Sequence, residues 1–360
     1  MELTIFWLAT AVTSVVTLLP LWQNPAWWVR GLDFPRLQFI SVIGVLSLLA
    51  LWRLDFDHVA SWSLLLLNLS YLAYHLWWIL PYTPLYPKEV KNDTQPPAHR
   101  TLTLLNANVL ATNHHADSLL SLVKQHQPDI LVTLESNLWW QEQLSSLAAD
   151  YPYQIQCPLE NLYGMHVYSR LPLTDKKICY LVEDDVPSMH CLITLKSGDQ
   201  VRAHFLHPAP PSPTENDESA PRDAELLAVG KRVAECELPV IVAGDLNDVA
   251  WSPTTRLFRK ISGLLDPRIG RGMFNTFNAQ HIFIRWPLDH LFHSHHFRLV
   301  GIKRLSLKGS DHFSLFTSLS LHLQQDNGRA QLHANDADKN LAEQKMAQEN
   351  VSKKEVPVPK

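Results

Sequence analysis

Two Asp–His pairs stand at the edges of predicted strands and could carry acid–base chemistry. The first, Asp289 and His290, lies in WPLDHLF, and the second, Asp311 and His312, lies in LKGSDHFSLF, between a glycine and an alternating apolar run. One such pair could be an accident of composition. Two pairs in similar settings predict a site assembled from strand ends.

Other polar residues also stand where apolar segments end. Glu135 closes DILVTLE, which is typical of a buried central strand, and a carboxylate there must find a cation or a hydrogen-bonding partner. Asn106 and Asn108 are two residues apart, so their side chains share one face of a strand. Three more residues follow apolar segments in the same way: His207 after AHFL, and Asp245 and Asn247 in VIVAGDLND.

The elements that must position these residues begin at Thr101. Helices are predicted at HADSLLSLVKQHQ and around residues 222–234 and 254–261. Short strands outnumber these helices and many adjoin one another, which favours two packed sheets flanked by helices, an α+β sandwich, over a doubly wound parallel sheet. The predicted strands are TLTLLNANVL, DILVTLE, GMHVYSR, CLITLK, QVRAHFLH, LPVIVAGD, PLDHLFH and FSLFTSLSLHL.

The first 80 residues have a different composition and predict a membrane anchor. Three apolar segments, at about 3–21, 37–52 and 59–80, contain no Lys, Arg, Asp or Glu and approach the roughly 20 residues that span a bilayer. Tryptophans and tyrosines follow the first and third segments, as in interfacial aromatic belts. A cleavable signal is the alternative for the first segment alone, but a basic region is lacking and two more segments follow.

The remaining segments flank the predicted catalytic domain at residues 101–323. Residues 81–100, rich in proline and charge, predict an extended linker. Residues 324–360 are too polar to bury a core and predict a disordered tail. The four cysteines lie far apart without CxxC spacing, so neither a zinc site nor a disulfide framework is indicated.

Taken in chain order, the motifs of residues 101–323 resemble the endonuclease/exonuclease/phosphatase superfamily, which includes pancreatic-type deoxyribonuclease, apurinic endonucleases, sphingomyelinases and inositol polyphosphate phosphatases. Each motif alone is weak, and their joint order and strand placement carry the resemblance. The motifs are NV (Asn108), LES (Glu135), YSRLPL (Ser169, Arg170), FLHPAPP (His207), GDLND (Asp245, Asn247), PLDH (Asp289) and GSDH (Asp311, His312).

The resemblance implies a four-layered α/β/β/α sandwich whose strand ends form one phosphate-cleaving cleft. It implies Mg²⁺, with Mn²⁺ as the alternative ion, and hard oxygen ligands suit such a cation. The implied metal-binding residues are Asn108, Glu135 and Asp311, the last binding either the ion or a ligand water. The implied catalytic residues are His207, Asp245, Asn247, Asp289 and His312.

Within that set the resemblance gives each residue a role. Asp245 would orient or deprotonate the attacking water, and Asn247 would hold a phosphate oxygen. His312, oriented by Asp289, would donate to the phosphate or stabilise the pentacovalent state. The two Asp–His pairs then supply different halves of one Asp289–His312 dyad, and His290 is structural.

Several other residues have competing interpretations. Asn106 either satisfies a turn or backbone group or supports the site. Asp248 is expected to be a loop or helix-cap residue, and Arg170 either forms a structural pair or faces substrate. The histidines of HSHH, which are His293, His295 and His296, are expected to be solvated on a polar loop.

The charge of the predicted catalytic domain bears on its substrate. Residues 101–323 contain 19 Lys and Arg against 23 Asp and Glu, a net charge of −4, whereas nucleic-acid enzymes usually carry a basic footprint. A phosphate ester or pyrophosphate, including a lipid-linked one, is therefore the favoured substrate. A membrane-tethered nuclease acting on DNA or RNA is one alternative, and a non-enzymatic scaffold is a second, which the complete set of catalytic residues disfavours.

The predicted location is the cell membrane, with several spans. The three-helix architecture and HPAPP resemble membrane members linked to glycopeptide resistance, thought to act on undecaprenyl-type lipid pyrophosphate outside the membrane. With the N-terminus outside, the cytoplasmic side would hold more Lys and Arg near the span ends, with Arg53 alone outside, so the positive-inside rule favours a cytoplasmic catalytic domain. The two indications conflict and the facing stays open, with a slight preference for the outside because a lipid-pyrophosphate role would need it.

Overall fold

A computed structural model describes residues 1–323 and 331–357 of the chain. Its helices are α1 (Glu2–Leu18), α2 (Trp27–Arg30), α3 (Arg36–Arg53), α4 (Val59–Ile79), α5 (Ala116–His126), α6 (Leu138–Gln143), α7 (Ala220–Ala234), α8 (Pro253–Ser262) and α9 (Asp336–Gln348). Its strands are β1 (Thr101–Asn108), β2 (Ile130–Leu134), β3 (Tyr153–Cys157), β4 (Met165–Ser169), β5 (Leu173–Cys179), β6 (Ser188–Thr194), β7 (Gln200–Leu206), β8 (Val240–Asp245), β9 (Asp289–His293), β10 (Phe297–Ser306) and β11 (Phe313–Leu321).

The strands form two sheets that pack face to face. One sheet has the order β10-β11-β1-β2-β4-β3 and the other β5-β6-β7-β8-β9. Apolar residues from both sheets share one buried core, and α5 and α6 cover the outer face of the first sheet, while α7, α8 and α9 cover the second. The predicted α+β sandwich with four layers, α/β/β/α, is confirmed.

The apolar segments before residue 83 form helices that pack on one another. Three stretches, Glu2–Leu21, Arg36–Arg53 and Val59–Tyr82, are long and apolar enough to cross a membrane. Buried polar side chains join the first and third stretches: Asn68 donates to Thr10 Oγ1 at 2.8 Å, and the Thr17 hydroxyl lies 3.0 Å from His75 Nε2. Such bonds hold apolar helices together where burial of apolar surface cannot.

The catalytic domain docks on one end of this helix bundle. The α1–α3 connection and the end of α4 both reach it, and Tyr82 Oη donates to the carbonyl of Ala250 at 2.5 Å. Trp251 Nε1 donates to the carbonyl of Asp33 at 3.0 Å. Ile79 and Leu288 complete a shared apolar cluster, so helices and sandwich form one packed unit.

The segment predicted to be an extended linker, residues 81–100, is packed on the sandwich. Val90 is fully buried in the core between the sheets. The buried carboxylate of Glu89 forms an ion pair with Arg259 and accepts from the amide of Asp266 at 2.7 Å. The prediction missed these contacts because prolines and charges also occur in segments that run over a protein surface.

The prediction of a disordered tail is wrong for residues 331–357, while residues 324–330 and 358–360 lie outside the described residues. Helix α9 begins at a capping box formed by Asn335 and Asp338, and it buries Ala342 and Met346 against α7. Lys345 Nζ lies 2.7 Å from the buried carboxylate of Asp223. Few apolar residues, correctly spaced, were enough to dock a segment whose average composition is polar.

Candidate active site

The candidate functional side chains lie where the ends of four strands and the starts of two others meet. β1 runs parallel to β2 and β7 parallel to β8, so their carboxyl ends share one edge of the sandwich. β9 and β11 run antiparallel to β8 and β1, so they start at that edge. Asp245 and Asp289 are register partners across β8 and β9. Strand direction therefore concentrates polar residues that are far apart in the sequence.

Local backbone geometry turns two of these residues out of their strands. Glu135 and Asn247 both have left-handed backbone, with φ of 55° and 50°, which costs free energy in a non-glycine residue. Before Asp245, a side chain at Gly244, whose φ is 147°, would collide with the carbonyl of Leu206 on the neighbouring strand. The glycine of VIVAGDLND therefore lets β7 and β8 pair closely just where the site begins.

The central feature is a histidine held between carboxylates from the other sheet. His312 Nδ1 lies 2.8 Å from Asp289 Oδ2, and His312 Nε2 lies 3.5 Å from Asp245 Oδ2. Asn106 Nδ2 donates to the second oxygen of Asp289 at 2.9 Å, which fixes the carboxylate. The Ser310 hydroxyl accepts from the amide of His312 at 2.9 Å. The two Asp–His pairs of the sequence thus each contribute one member to a single buried dyad.

Electrostatics favour a charged histidine here. Burial alone would lower the pKa of His312, but the carboxylates of Asp289 and Asp245 outweigh it and raise the pKa to about 10. His207 lies in the same cleft, and burial lowers its pKa to about 4. Burial also raises the pKa of Asp245, although His312 opposes that shift. At neutral pH the cleft therefore holds one cationic and one neutral histidine.

A second group of side chains offers oxygen atoms. Burial raises the pKa of Glu135 to about 7, and the hydrogen bond that Asn108 Nδ2 donates to it at 2.7 Å only partly offsets this. Asp311 Oδ1 is buried without a hydrogen-bond partner. Both carboxylates line one cleft. A desolvated carboxylate and an unpartnered carboxylate oxygen fit a divalent cation, which would restore their charge and satisfy their lone pairs.

Asn108 itself is arranged differently from the expectation of a metal ligand. Its amide nitrogen faces Glu135 and, at 3.3 Å, Asp245, while its Oδ1 accepts from the amide of Leu110 at 3.2 Å. In this orientation Asn108 holds the carboxylates together. Rotation of the amide would exchange its oxygen and nitrogen, and would turn Oδ1 toward them.

Asp245, Asp289 and His312 also form a compact group whose ligand atoms lie within 4.8 Å of one another. Each ring nitrogen of His312 already faces a carboxylate oxygen, as the distances above show. A cationic imidazole cannot bind a metal ion, because both of its nitrogens carry protons. The group is therefore better described as a His312–Asp289 hydrogen bond beside the charge of Asp245 than as a metal centre.

The cleft has a volume of about 310 Å³, and its walls include residues that the sequence did not indicate. Phe277 packs on His312 with ring centroids 5.0 Å apart, and Tyr163 packs on His207 at 5.4 Å. Phe34, from the connection between α2 and α3, also lines the cleft. These residues belong to loops distant in sequence, and no local pattern marked them.

The remaining candidates have structural contacts away from the cleft. His290 lies 2.7 Å from Arg268 NH2 and 2.9 Å from the carbonyl of Asp248, buried as a structural residue. The guanidinium of Arg170 stacks over the ring of Tyr151 at 4.8 Å. Asp248 accepts from the hydroxyl of Thr255 at 3.2 Å and from the amide that follows it in the loop.

The expectation for HSHH was wrong for its first histidine. His293 lies in β9, is fully buried and has its Nδ1 2.8 Å from the carbonyl of Ser294. β9 ends at His293, as the predicted strand PLDHLFH does, and its register with β8 places His293 opposite Ile241 in the interior rather than on a solvated loop.

Comparison with known proteins supports the fold. The chain resembles a humanized form of D. rerio TDP2 at 16% identity over 61% of this chain and 99% of that one, with a TM-score of 0.51. It also resembles the catalytic domain of human Nocturnin with bound sulfate anion, at 18% identity over 62% and 95% of the two chains, TM-score 0.50. An endonuclease/exonuclease/phosphatase from Bacteroides vulgatus matches at 15% identity over 62% and 99%, TM-score 0.50.

At these identities the structural likeness establishes the fold, and no curated protein sequence matches the chain. The family profile described as Endonuclease/Exonuclease/phosphatase family matches residues 99–312, which is more than half of the chain and includes every candidate site residue. The chain therefore belongs to the endonuclease/exonuclease/phosphatase family, whose members are divalent-metal-dependent hydrolases that act on phosphate ester bonds.

Proposed function

We propose that this protein is a multi-pass membrane phosphoesterase that uses Mg²⁺ to hydrolyse the phosphate ester or pyrophosphate of a lipid-linked substrate. The observation that carries the proposal is the position of Phe34. This residue precedes α3, a helix apolar enough to span a membrane, yet it lines the same cleft as Asp245 and His312. A cleft built partly from the connection between spans would open beside lipid headgroups.

The oxygen-rich part of the cleft would hold the metal. Glu135 and Asp311 are the proposed ligands of Mg²⁺, with Mn²⁺ as the alternative ion and Asn108 as a further ligand after rotation of its amide. When bound, the ion would polarise the phosphoryl oxygens and offset negative charge that develops in the transition state. The use of only one or two carboxylates agrees with the preference of Mg²⁺ to keep several waters.

The dyad would perform the proton chemistry. Asp245 would accept a hydrogen bond from the attacking water and orient it toward phosphorus. His312, protonated and oriented by Asp289, would donate a hydrogen bond to a phosphoryl oxygen as charge accumulates there. Asn106 would act by positioning Asp289. His207, whose Nδ1 is buried without a partner, and Asn247 are the proposed contacts to the remaining phosphate oxygens.

The surroundings of the cleft argue against a nucleic acid as the substrate. Glu215 lines the cleft, and an adjoining pocket is lined by Glu183 and Asp185. A strand of nucleic acid must lay several phosphates beside the active site, and carboxylates there repel them. A substrate with its phosphates at one end and an apolar chain beyond them avoids that repulsion.

The substrate class is tested with the full-length protein in detergent micelles. Wild type and His312→Gln would be assayed with Mg²⁺ against an isoprenyl pyrophosphate, a soluble phosphodiester such as bis-p-nitrophenyl phosphate, and plasmid DNA. The proposal predicts that the isoprenyl pyrophosphate is hydrolysed most efficiently, and that His312→Gln abolishes this activity. Efficient cleavage of DNA alone would contradict the lipid-linked substrate, and full activity of His312→Gln would contradict the site.

The facing of the catalytic domain is a separate question. Because α9 packs on α7, a reporter belongs after Lys360 rather than after Leu323. Alkaline phosphatase activity of such a fusion would place the domain outside, which a substrate in the outer leaflet requires. Fluorescence of a green fluorescent protein fusion without phosphatase activity would place it in the cytoplasm and would contradict an external lipid-pyrophosphate role.

A further inference from the structure

An apolar groove of about 620 Å³ adjoins the catalytic cleft. The two share Phe34, Pro211 and Ser212 as lining residues, so they are continuous. Among the described residues that line the groove none is charged, and aromatic and aliphatic side chains predominate. A continuous path thus leads from a polar site with a cationic histidine to a space suited to hydrocarbon.

The groove lies where the apolar helices meet the catalytic domain. One wall is the connection from Trp27 to Phe34, and the opposite wall is the loop that carries Phe283, Ile284 and Trp286. Gln38, near the start of α3, lines the groove and donates to the carbonyl of Phe283 at 2.7 Å, which joins the two walls. The groove therefore lies beside the start of α3, a helix long and apolar enough to cross a membrane.

The tip of that loop is unusually apolar for a surface in water. Ile282 is 75% exposed and Phe283 is 87% exposed, and the carbonyl of Phe283 accepts from Gln38 of α3, a helix that also exposes apolar side chains. Contiguous exposed apolar side chains mark sites that contact a membrane, a partner or a ligand. The groove adjoins the apolar helices on one side and the catalytic cleft on the other. Of these three kinds of occupant, a lipid is the one that fits both neighbours.

We infer that this groove binds the hydrocarbon chain of the substrate, which makes the substrate a single long-chain lipid phosphate or pyrophosphate. This inference rests on the proposed function and adds a specificity site to it. The phosphate end occupies the cleft beside His312, and the chain passes Phe34 into the groove and leaves it toward the bilayer. The loop 282–284 inserts into the membrane surface, so the chain need not cross water.

Gly31 provides a way to block the groove without removing any contact. It lies at the end of α2 with an ordinary helical φ of −57°, and a Cβ there would meet no atom within 4 Å. Gly44, in the middle of α3, also has nothing within 4 Å of such a Cβ but does not line the groove. Gly31→Leu is therefore the test, and Gly44→Leu is its matched control.

The experiment measures kcat/KM of the full-length protein for a C15 and a C5 isoprenyl pyrophosphate at a fixed detergent concentration. Wild type should prefer the C15 substrate by tenfold or more. Gly31→Leu should lower kcat/KM for the C15 substrate about tenfold, equivalent to excluding roughly two methylenes, and should leave the C5 substrate unchanged. Gly44→Leu should match wild type for both.

A second pair of variants separates chain binding from membrane anchoring. Ile284 lines the groove and Ile282, two residues earlier, does not. Ile284→Ser should reduce the preference for the C15 substrate, whereas Ile282→Ser should retain it. If both variants lower activity alike, the loop serves only as an anchor and the inference is overturned.

The outcomes also distinguish this inference from the proposed function. Hydrolysis of bis-p-nitrophenyl phosphate that requires His312, without any chain-length preference, would overturn the groove and leave the phosphoesterase intact. An equal loss for both chain lengths in Gly31→Leu would also overturn the groove. Hydrolysis of none of these substrates by wild type would overturn both.

Discussion

The floor and the rim of the cleft differ in origin and in how they are encoded. The floor consists of Glu135, Asp245, Asp289 and His312, each placed by the end or the start of a strand. The rim consists of aromatic and proline residues from loops and from the helix bundle, and is exemplified by Phe34. The proposed chemistry lies in the floor, and the rim forms the walls around it.

The difference shows which part of a site depends on strand geometry. A strand end fixes the direction of a side chain, and the register between strands fixes its neighbours, so the floor tolerates little variation. The rim residues lie in loops and in the helix bundle, so they can be substituted without disturbing the sheets. We therefore expect floor substitutions to reduce kcat, and rim substitutions to alter KM and substrate choice.

The largest expected effect comes from the dyad. His312→Gln removes the cationic donor and should lower kcat on the order of 10²–10⁴-fold, the usual contribution of a positioned acid or base. His290→Gln is the control, since it alters the other Asp–His histidine, equally buried but bonded to Arg268 outside the cleft. It should retain kcat and lose thermal stability. If His290→Gln lost as much kcat as His312→Gln, the chemistry would not be confined to the floor residues.

The next effect concerns the oxygen ligands. Glu135→Gln removes a ligand charge with little change of volume and should lower turnover at limiting Mg²⁺ on the order of 10²-fold, with partial recovery at high Mg²⁺. Steady-state rates measured across a Mg²⁺ titration would show this. Activity equal to that of wild type at limiting Mg²⁺ would remove Glu135 from the proposed metal site.

Helix α9 lies away from both floor and rim, and it should affect stability without affecting chemistry. Met346→Ala removes a buried side chain that packs on α7 and should lower the free energy of unfolding by about 2–5 kcal/mol. Lys339→Ala, on the exposed face of α9, should change it little. Thermal unfolding measures both. Equal stability of Met346→Ala and wild type would mean that α9 is not docked in solution.

Glu225, a buried glutamate outside the cleft, should affect the pH dependence of stability without affecting the chemistry. Burial, reinforced by the charge of Glu183, raises the pKa of Glu225 to about 8. The folded protein therefore keeps this proton while the unfolded chain loses it above its ordinary pKa of 4.5, so stability should fall as pH rises from about 4.5 to 8. Glu225→Gln should remove this loss, roughly 3–5 kcal/mol over that range.

Unfolding of Glu225→Gln and wild type would be compared at pH 5 and pH 8, by denaturant titration. The account predicts similar stability at pH 5 and a clear advantage for the variant at pH 8, with kcat unchanged at either pH. An advantage that is equal at both values would show that Glu225 is ionised in the folded protein.

The smallest effect is expected at the rim. Phe34→Leu shortens a side chain that lines both cleft and groove and packs edge-on against Trp286, with centroids 5.6 Å apart. It should raise KM for an isoprenyl pyrophosphate a few-fold and leave kcat nearly unchanged, because no atom of Phe34 would exchange a proton or charge with the phosphate. A loss confined to kcat would assign Phe34 to the floor.

Local sequence carries information about the floor because strand ends are local features. GSDH, PLDH and GDLND each follow or precede an apolar run, and the two-residue spacing of Asn106 and Asn108 gives a shared face. The apolar alternation also predicted most strands. It missed β3, β5 and β10, of which β5 and β10 leave many side chains exposed and so lack a clean apolar pattern.

The rim, the docked segments and the orientation of Asn108 could not be predicted in this way. Phe34 reaches the cleft only because α1, α3 and α4 dock beside the sandwich, which is a tertiary contact between distant parts of the chain. Helix α9 depends on two buried residues, Ala342 and Met346, whose contribution disappears in an average over a polar segment. Such features follow from packing, and packing is not local.

One measurement tests the central claim, that strand ends of two different sheets form a single catalytic site. Asp289 begins β9 of one sheet, and His312 immediately precedes β11 of the other. We would measure Mg²⁺-dependent phosphate release by Asp289→Asn, His312→Gln and the double variant. The account predicts that the double variant is no slower than His312→Gln alone, because the two residues act as one unit. Losses that multiply in the double variant would show that they act independently, and would contradict the claim.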